Sequence, residues 1–287
     1  MRNLKKKLDC IKQAQIDMPV YHDLLGLYRK LLVEKDKFEK TLTLKPIEVD
    51  TNFLEKKIKE GFPLFDRRKI PLDTGKLKEH FLKLTSLVKI RNEEGGKKIE
   101  AAIKENKISI EEAGRSFLNE KDYLEEKEAL KLDAELFLFL TGNALLPFLE
   151  IYSEQLEHHL KGFQWNWGHC PICGGRAKIA ELRGEEGRRF LLCSLCNHEW
   201  QFSRIRCPFC NNGNQEKLSY FTIDGKEGFR VDLCMECKDY IKTLDSRKLN
   251  RDIILEIDDI ATLHLDILAQ KEGFKKSGFA EINLGEL

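Results

Sequence analysis

Along the first 160 residues apolar side chains recur every three or four positions. Val20, Leu24, Leu27 and Leu31 mark one stripe, widened by Tyr21, Leu25, Tyr28 and Leu32, and Leu77, Phe81, Leu84 and Val88 mark a second. That spacing lines one face of a helix and leaves the intervening polar residues on the other. Ser109 followed by Glu112 predicts a capping box that opens a helix through Phe117 and Leu118. A further helix is predicted from about Asn143 to Leu160, with Pro147 in its first turn, where a missing N–H is tolerated. The stretch EGFPLFDRRKIPLDTG at 60–75 carries two prolines and two glycines and predicts a connector.

Beyond residue 170 the period shortens to two. Phe229, Val231 and Leu233 alternate as a half-buried strand does, and Tyr220–Ile223 is rich in strand formers. DGKEG at 224–228 and RGEEG at 183–187 sit between such runs as hairpin loops. Ile253 to Leu268 returns to helical spacing through Ile257, Ile260, Leu263 and Ile267. The predicted fold class is α+β: a helical N-terminal domain over 1–162, two strand-and-turn modules over 163–203 and 204–248, and a C-terminal helix and tail over 249–287 packing on them.

Composition narrows the function classes. The chain has 287 residues, 34% of them charged, and a formal net charge of +1, which gives no general attraction to nucleic acid or anionic membrane. The start, MRNLKKKLDCIKQ, has no apolar run behind its charges and is not a secretory signal. LFLFLTGNALLPFL at 136–149 is interrupted by Gly142 and Pro147 and is shorter than the roughly 20 residues of a membrane span. No membrane insertion is expected, and a cytoplasmic location is.

The cysteines carry the chemistry. Cys10 stands alone and reads as a packing residue; the other eight form four pairs, CPIC at 170–173, CSLC at 193–196, CPFC at 207–210 and CMEC at 234–237. In a reducing compartment such pairs are metal ligands rather than disulfides. Two copies of one plan are visible: Cys-Pro-X-Cys, strand, turn, strand, Cys-X-X-Cys. Each pair is a knuckle that wraps two thiolates around one ion, and a residue tolerating positive φ is favoured directly after it. Gly174, Asn197 and Asn211 suit that position, and Lys238 does not. A hairpin bringing the second knuckle opposite the first completes four sulfurs. The predicted sites are Cys170, Cys173, Cys193 and Cys196, then Cys207, Cys210, Cys234 and Cys237. A cross-braced arrangement, joining first pair to third and second to fourth, is the competing geometry.

Four sulfurs suit either zinc or a mononuclear rubredoxin-type iron, and they leave no open coordination position. Two metal ions in closed, structural sites are therefore expected, with electron transfer at iron still open. His169 and His198 flank knuckles but are not needed as ligands, and His158–His159 reads as a solvated helix end. No catalytic or organic-cofactor residues stand out. Between 161 and 248 there are 15 lysines and arginines against 11 acidic residues, an excess that eight thiolates and two divalent ions cancel. A phosphate-binding module should be strongly basic. Arg204 and Arg206, beside Trp200 and Phe202, remain a small patch that an ordinary solvated strand would also produce.

Several segments go beyond spacing. GFQWNWGHCPICGG, LLCSLCNHEWQFSRIRCPFC, VDLCMECKDYIKTLD and DDIATLHLDILAQKEGFKKSGFAEIN, with LLPFLEIY and GFPLF more loosely, resemble the formate dehydrogenase accessory protein family, FdhE. The resemblance implies a cytoplasmic, non-catalytic protein that assists maturation of formate dehydrogenase by binding its catalytic subunit. It implies the eight paired cysteines as the functional set and favours iron over zinc. Trp165, Trp167, Trp200 and Tyr240 are candidates for packing around the sites or for partner contact. Two other classes stay open: a nucleic-acid-binding zinc-ribbon protein and a rubredoxin-like electron carrier.

Overall fold

The structure, a computed structural model, describes residues 4–223, 227–249 and 251–276; the tail 277–287 and most of the DGKEG turn lie outside the described residues. Helices come first: α1 (Leu4–Asp17), α2 (His22–Glu39), α3 (Leu54–Lys59), α4 (Thr74–Val88), α5 (Glu93–Lys104), α6 (Ile110–Leu118) and α7 (Ala134–Leu156). Strands follow: β1 (Ala177–Arg183), β2 (Arg188–Cys193), β3 (Glu199–Gln201), β4 (Leu218–Thr222), β5 (Phe229–Cys234) and β6 (Tyr240–Asp245). Two short helices, α8 (Leu255–Ile260) and α9 (Leu263–Lys271), end the described chain. The α+β class read from the sequence is the one observed.

Helix starts are set by side-chain caps. Asp73, Asn92, Ser109 and Asp133 each accept from the backbone N–H three residues on, satisfying a donor that has no partner within the helix. At Ser109 only half the expected capping box closes, because its own N–H donates to the Tyr123 hydroxyl at 2.7 Å instead of to Glu112.

Three sequence expectations change. The stripe on α2 does not include Val20, which lies 80% exposed in a short 3₁₀ turn ahead of the helix. It is wide because α2 packs on two sides: Leu27 and Leu31 enter the main core, Leu25 and Leu32 a separate cluster with Ile11 and Ile257. The helix expected from Asn143 begins at Ala134, so Pro147 lies in its interior. Gly142 does not interrupt it either; a Cβ there would fall 2.9 Å from the Phe117 ring, and glycine lets α6 approach. Apolar nearly all round, α7 is long enough to cross a membrane by composition, yet most of it is buried among the other helices as the central core element.

The third change is at the end, where the single helix expected over Ile253 to Leu268 is two. The Thr262 hydroxyl donates to the Asp258 carbonyl at 2.6 Å, a local bond that competes with the backbone pattern and marks the turn. The break serves both halves: Ile257 and Ile260 face α1 and α2, while Leu265 and Ala269 pack with Val231 and Tyr240 of the sheet.

All six strands form one sheet in the order β3-β2-β1-β6-β5-β4. Neighbours within each repeat are antiparallel, and the repeats join through parallel pairing of β1 with β6, from Ile179 opposite Lys242 to Leu182 opposite Asp245. On one face α8 and α9 cover the sheet, and fully buried Lys242 reaches Asp259 at 2.7 Å and Asp266 at 2.6 Å. On the other, Ala180, Leu191 and Trp200 join the apolar core that extends to Phe81 and Phe148 of the helices.

Candidate metal centres

Four tight turns present the cysteines, and the same backbone bonds close each of them. The first cysteine's N–H donates to the carbonyl five residues on: Cys170 to Gly175, Cys193 to His198, Cys207 to Asn212 and Cys234 to Asp239, at 2.8–3.0 Å. The residue after the second cysteine is left-handed every time, with φ of 72° at Gly174, 51° at Asn197, 60° at Asn211 and 61° at Lys238. Lysine adopts this conformation against its preference. The carbonyl of Lys238 accepts from Lys275, and its ammonium lies 5.4 Å from the centre of the Phe274 ring. Tertiary contacts therefore hold the fourth knuckle where its sequence alone would not.

The sulfurs group as first pair with second and third with fourth. In the first set Cys170 lies 3.7 Å from Cys196, and Cys173 lies 3.5 Å from Cys193 and 3.4 Å from Cys196. In the second, Cys207 is 3.7 Å from Cys237 and Cys210 is 3.7 Å from Cys234. A tetrahedron with metal–sulfur bonds near 2.3 Å has edges of about 3.8 Å, so both sets fit a zinc or iron ion. These are the groups of metal-ligating side chains that cluster among the described residues.

Proton sharing fits the same picture. Burial pushes the Cys170 and Cys196 thiols well up, whereas at Cys193 it is outweighed by hydrogen bonds from the other three thiols, which hold it well down. In the second set burial pushes Cys207 up to about 12 and also raises Cys237; at Cys234 it is outweighed by backbone donors and the Cys210 thiol. Cysteines bind metal as thiolates, so an ion entering either set displaces the thiol protons.

Surroundings separate the sets. The first knuckle is pinned by the 60–75 connector, where Leu64 and Phe65 donate to the carbonyls of Pro171 and Ile172 at 2.8 and 3.2 Å. His169 is no ligand; its ring bonds the Gly61 carbonyl at 2.8 Å, and its own carbonyl accepts from the Trp165 indole. Gly61 lies so close to Trp167 that a Cβ would sit 2.5 Å from the indole. Trp165, Trp200 and Tyr240 are buried and pack, while Trp167 is partly exposed. His198 is buried beside the second knuckle, and His158 and His159 lie in the 3₁₀ turn after α7 without joining a ligand cluster among the described residues. Burial, and then nearby Asp258, push the Cys10 thiol up to about 11, consistent with an inert packing residue.

A buried polar network escapes sequence reasoning. The Asn197 amide donates to Glu150 of α7 at 2.6 Å and to Glu256 of α8 at 3.1 Å. Lys35 of α2 pairs with Glu150, and Lys7 of α1 with Glu256 at 2.5 Å. Burial would raise Glu150, but Lys35, Lys7 and the Asn197 amide outweigh it and hold the carboxyl down to about 2. One knuckle residue thereby ties four helices to the first sulfur set. Only the Asn at a left-handed position hinted at it.

Residues 169–204 match the family model described as FdhE, central domain, and residues 205–282 match FdhE, C-terminal domain. The Protein FdhE homolog of Aquifex aeolicus is 30% identical over 165 residues, 53% of this chain and 57% of that protein. Its counterpart in Haemophilus ducreyi is 31% identical over 177 residues, 59% of this chain and 55% of that protein. The chain thus spans somewhat over half the length of these curated relatives. The fold is similar to the crystal structure of the FdhE protein from Pseudomonas aeruginosa, with a TM-score of 0.69 at 21% identity, covering 96% of this chain and 93% of that one.

Proposed function

We propose that this chain, whose residues 169–282 match the FdhE central and C-terminal domain models, is a cytoplasmic accessory protein for the maturation of formate dehydrogenase, holding the enzyme's catalytic subunit before assembly. It acts as a binding scaffold and not as a catalyst. The eight paired cysteines hold two metal ions, Cys170, Cys173, Cys193 and Cys196 one of them and Cys207, Cys210, Cys234 and Cys237 the other. The family resemblance favours iron; zinc satisfies the same donors. Bound metal supplies a rigid crosslink between knuckles, and four sulfurs per ion leave no position for a substrate.

The observation that carries this reading is the joining of two closed four-sulfur ribbons into one sheet, with the first built into the helical core. Such an arrangement stiffens a large surface without making an open reaction centre. As a test, the chain is used as bait in its own host and its gene is then deleted. The expected result is retention of the formate dehydrogenase catalytic subunit, and loss of formate oxidation on deletion. Intact formate oxidation after deletion would defeat the reading. Metal analysis and an absorption spectrum of anaerobically purified protein decide the ion, since ferric four-sulfur sites are coloured and zinc sites are not.

A further inference from the structure

The sheet face that carries Trp200 into the helical core is covered differently in the second repeat. There the linker after β3 lies over it and leaves a cleft of about 250 Å³. Four arginines line the cleft: Arg189 from β2, Arg204 and Arg206 from the linker, and Arg230 from β5. Two acidic residues, Asp232 and Asp239, share the lining, and Asp232 lies in a fork with Arg230 at 3.0 and 3.3 Å and 4.0 Å from Arg189. Arg204 and Arg206 are exposed and have no acidic partner among the described residues.

Arg189 is the unusual member. It is only 3% exposed, and one terminal nitrogen donates to the carbonyls of Ser203 and Arg206. Among the described residues its Nε–H has no partner. A buried, unpaired donor on a cation is costly, and native proteins rarely keep one without a use for it. Burial, with Arg230 and Arg204 nearby, lowers this guanidinium to about 10 against the pull of Asp232 and Cys207.

A second observation lies beside the first. Among the described residues β4 is an open edge of the sheet, and its sequence, LSYFT, contains no charge, proline or glycine. Edge strands are ordinarily protected by such residues or by being short, as three-residue β3 is at the other edge. Tyr220 of β4 lines the cleft and is 61% exposed. It pairs directly opposite Asp232, so the two side chains share a face. A strand added outside β4 would continue that row and place alternate side chains over the arginines.

We infer that the β4 edge and the arginine cleft together form a docking site for an extended acidic peptide, which pairs with β4 through its backbone and sets a carboxylate among Arg189, Arg204 and Arg206. Cys207 and Cys234 of the second sulfur set also line the cleft. The exposed linker arginines are left to meet the ligand. The docking site deepens the accessory role proposed above by assigning where an acidic segment of the client sits, but its test needs no formate dehydrogenase. Failure here leaves the accessory role standing.

The probe is a fluorescein-labelled peptide alternating valine with glutamate, titrated by anisotropy into the full metal-loaded chain. Saturable binding is expected, with slowed amide exchange at residues 218–222. Replacing the peptide glutamates by glutamine should weaken binding by about tenfold or more, the equivalent of one good charge-assisted bond. The Arg204→Gln, Arg206→Gln double variant should weaken it as much while keeping the parent melting temperature, because neither side chain supports the fold. Arg189→Gln is avoided as the primary test, since Arg189 also holds two linker carbonyls. No binding up to about 1 mM peptide, equal affinity for the glutamine version, or binding without protection of β4 would overturn the inference. So would tight capture of a uridine oligonucleotide that the double variant abolishes, which would assign the cleft to nucleic acid.

Discussion

In the first sulfur set the four cysteines are at most 2% exposed and share a core with Phe81 and Phe148, whereas in the second Cys210 is open to solvent and Cys237 half-buried. The local backbone does not produce this difference, since all four knuckles close with the same bonds and the same left-handed residue. Their flanks do. The connector and the Asn197 network bind the first set to the helices; Asn211, which follows the third knuckle, is exposed. Identical ligand chemistry therefore yields one site that belongs to the fold of the whole chain and another that closes its own ribbon.

The largest test removes one ligand from each site. Structural zinc sites contribute apparent binding energies on the order of 10 kcal/mol, comparable to the whole stability of a domain. Cys170→Ser should cost the first ion and open the helices to limited proteolysis. Cys210→Ser should cost the second ion and leave the helices resistant, and a chelator should empty the second site first in the unaltered chain. Equal protease sensitivity of the two variants would erase the distinction. A smaller effect comes from the two asparagines. Glycine keeps the left-handed turn, so Asn197→Gly isolates the two lost carboxylate bonds and should cost about 2–4 kcal/mol in a denaturant melt. Asn211→Gly should stay within about 0.5 kcal/mol.

The smallest effect concerns pH. Burial, with Glu150 nearby, pushes Glu39 up to about 7 despite Lys35. A carboxyl raised in the fold binds its proton more tightly there than in the unfolded chain. Its contribution is complete below the unfolded value near 4.5 and is lost as pH rises through 7. Glu39→Gln should therefore gain about 1–3 kcal/mol relative to the parent on going from pH 5 to pH 8. That gain should appear in helix unfolding and not in loss of the second ion.

The knuckles are legible in sequence because each is a few covalently adjacent residues whose spacing reports their geometry. The caps at Asp73, Asn92 and Asp133 follow the same local rule as Ser109. What lies beyond local reach is less legible. Gly142 and Pro147 look like breaks, and only the packing of Phe117 against α7 shows that the helix passes through them. Lys7, Lys35, Glu150 and Glu256 look like surface charges until four helices and a knuckle meet around them. The seam between the repeats has no short-range signal at all, since β1 and β6 are distant in sequence and run parallel.

That seam also orders events in time. Each hairpin joins near neighbours and can form on the microsecond scale, whereas pairing Ile179 with Lys242 must first close a long loop of chain. Non-local parallel pairing is intrinsically slow. Each local hairpin is therefore expected to close before the two repeats meet, with the seam between β1 and β6 forming late.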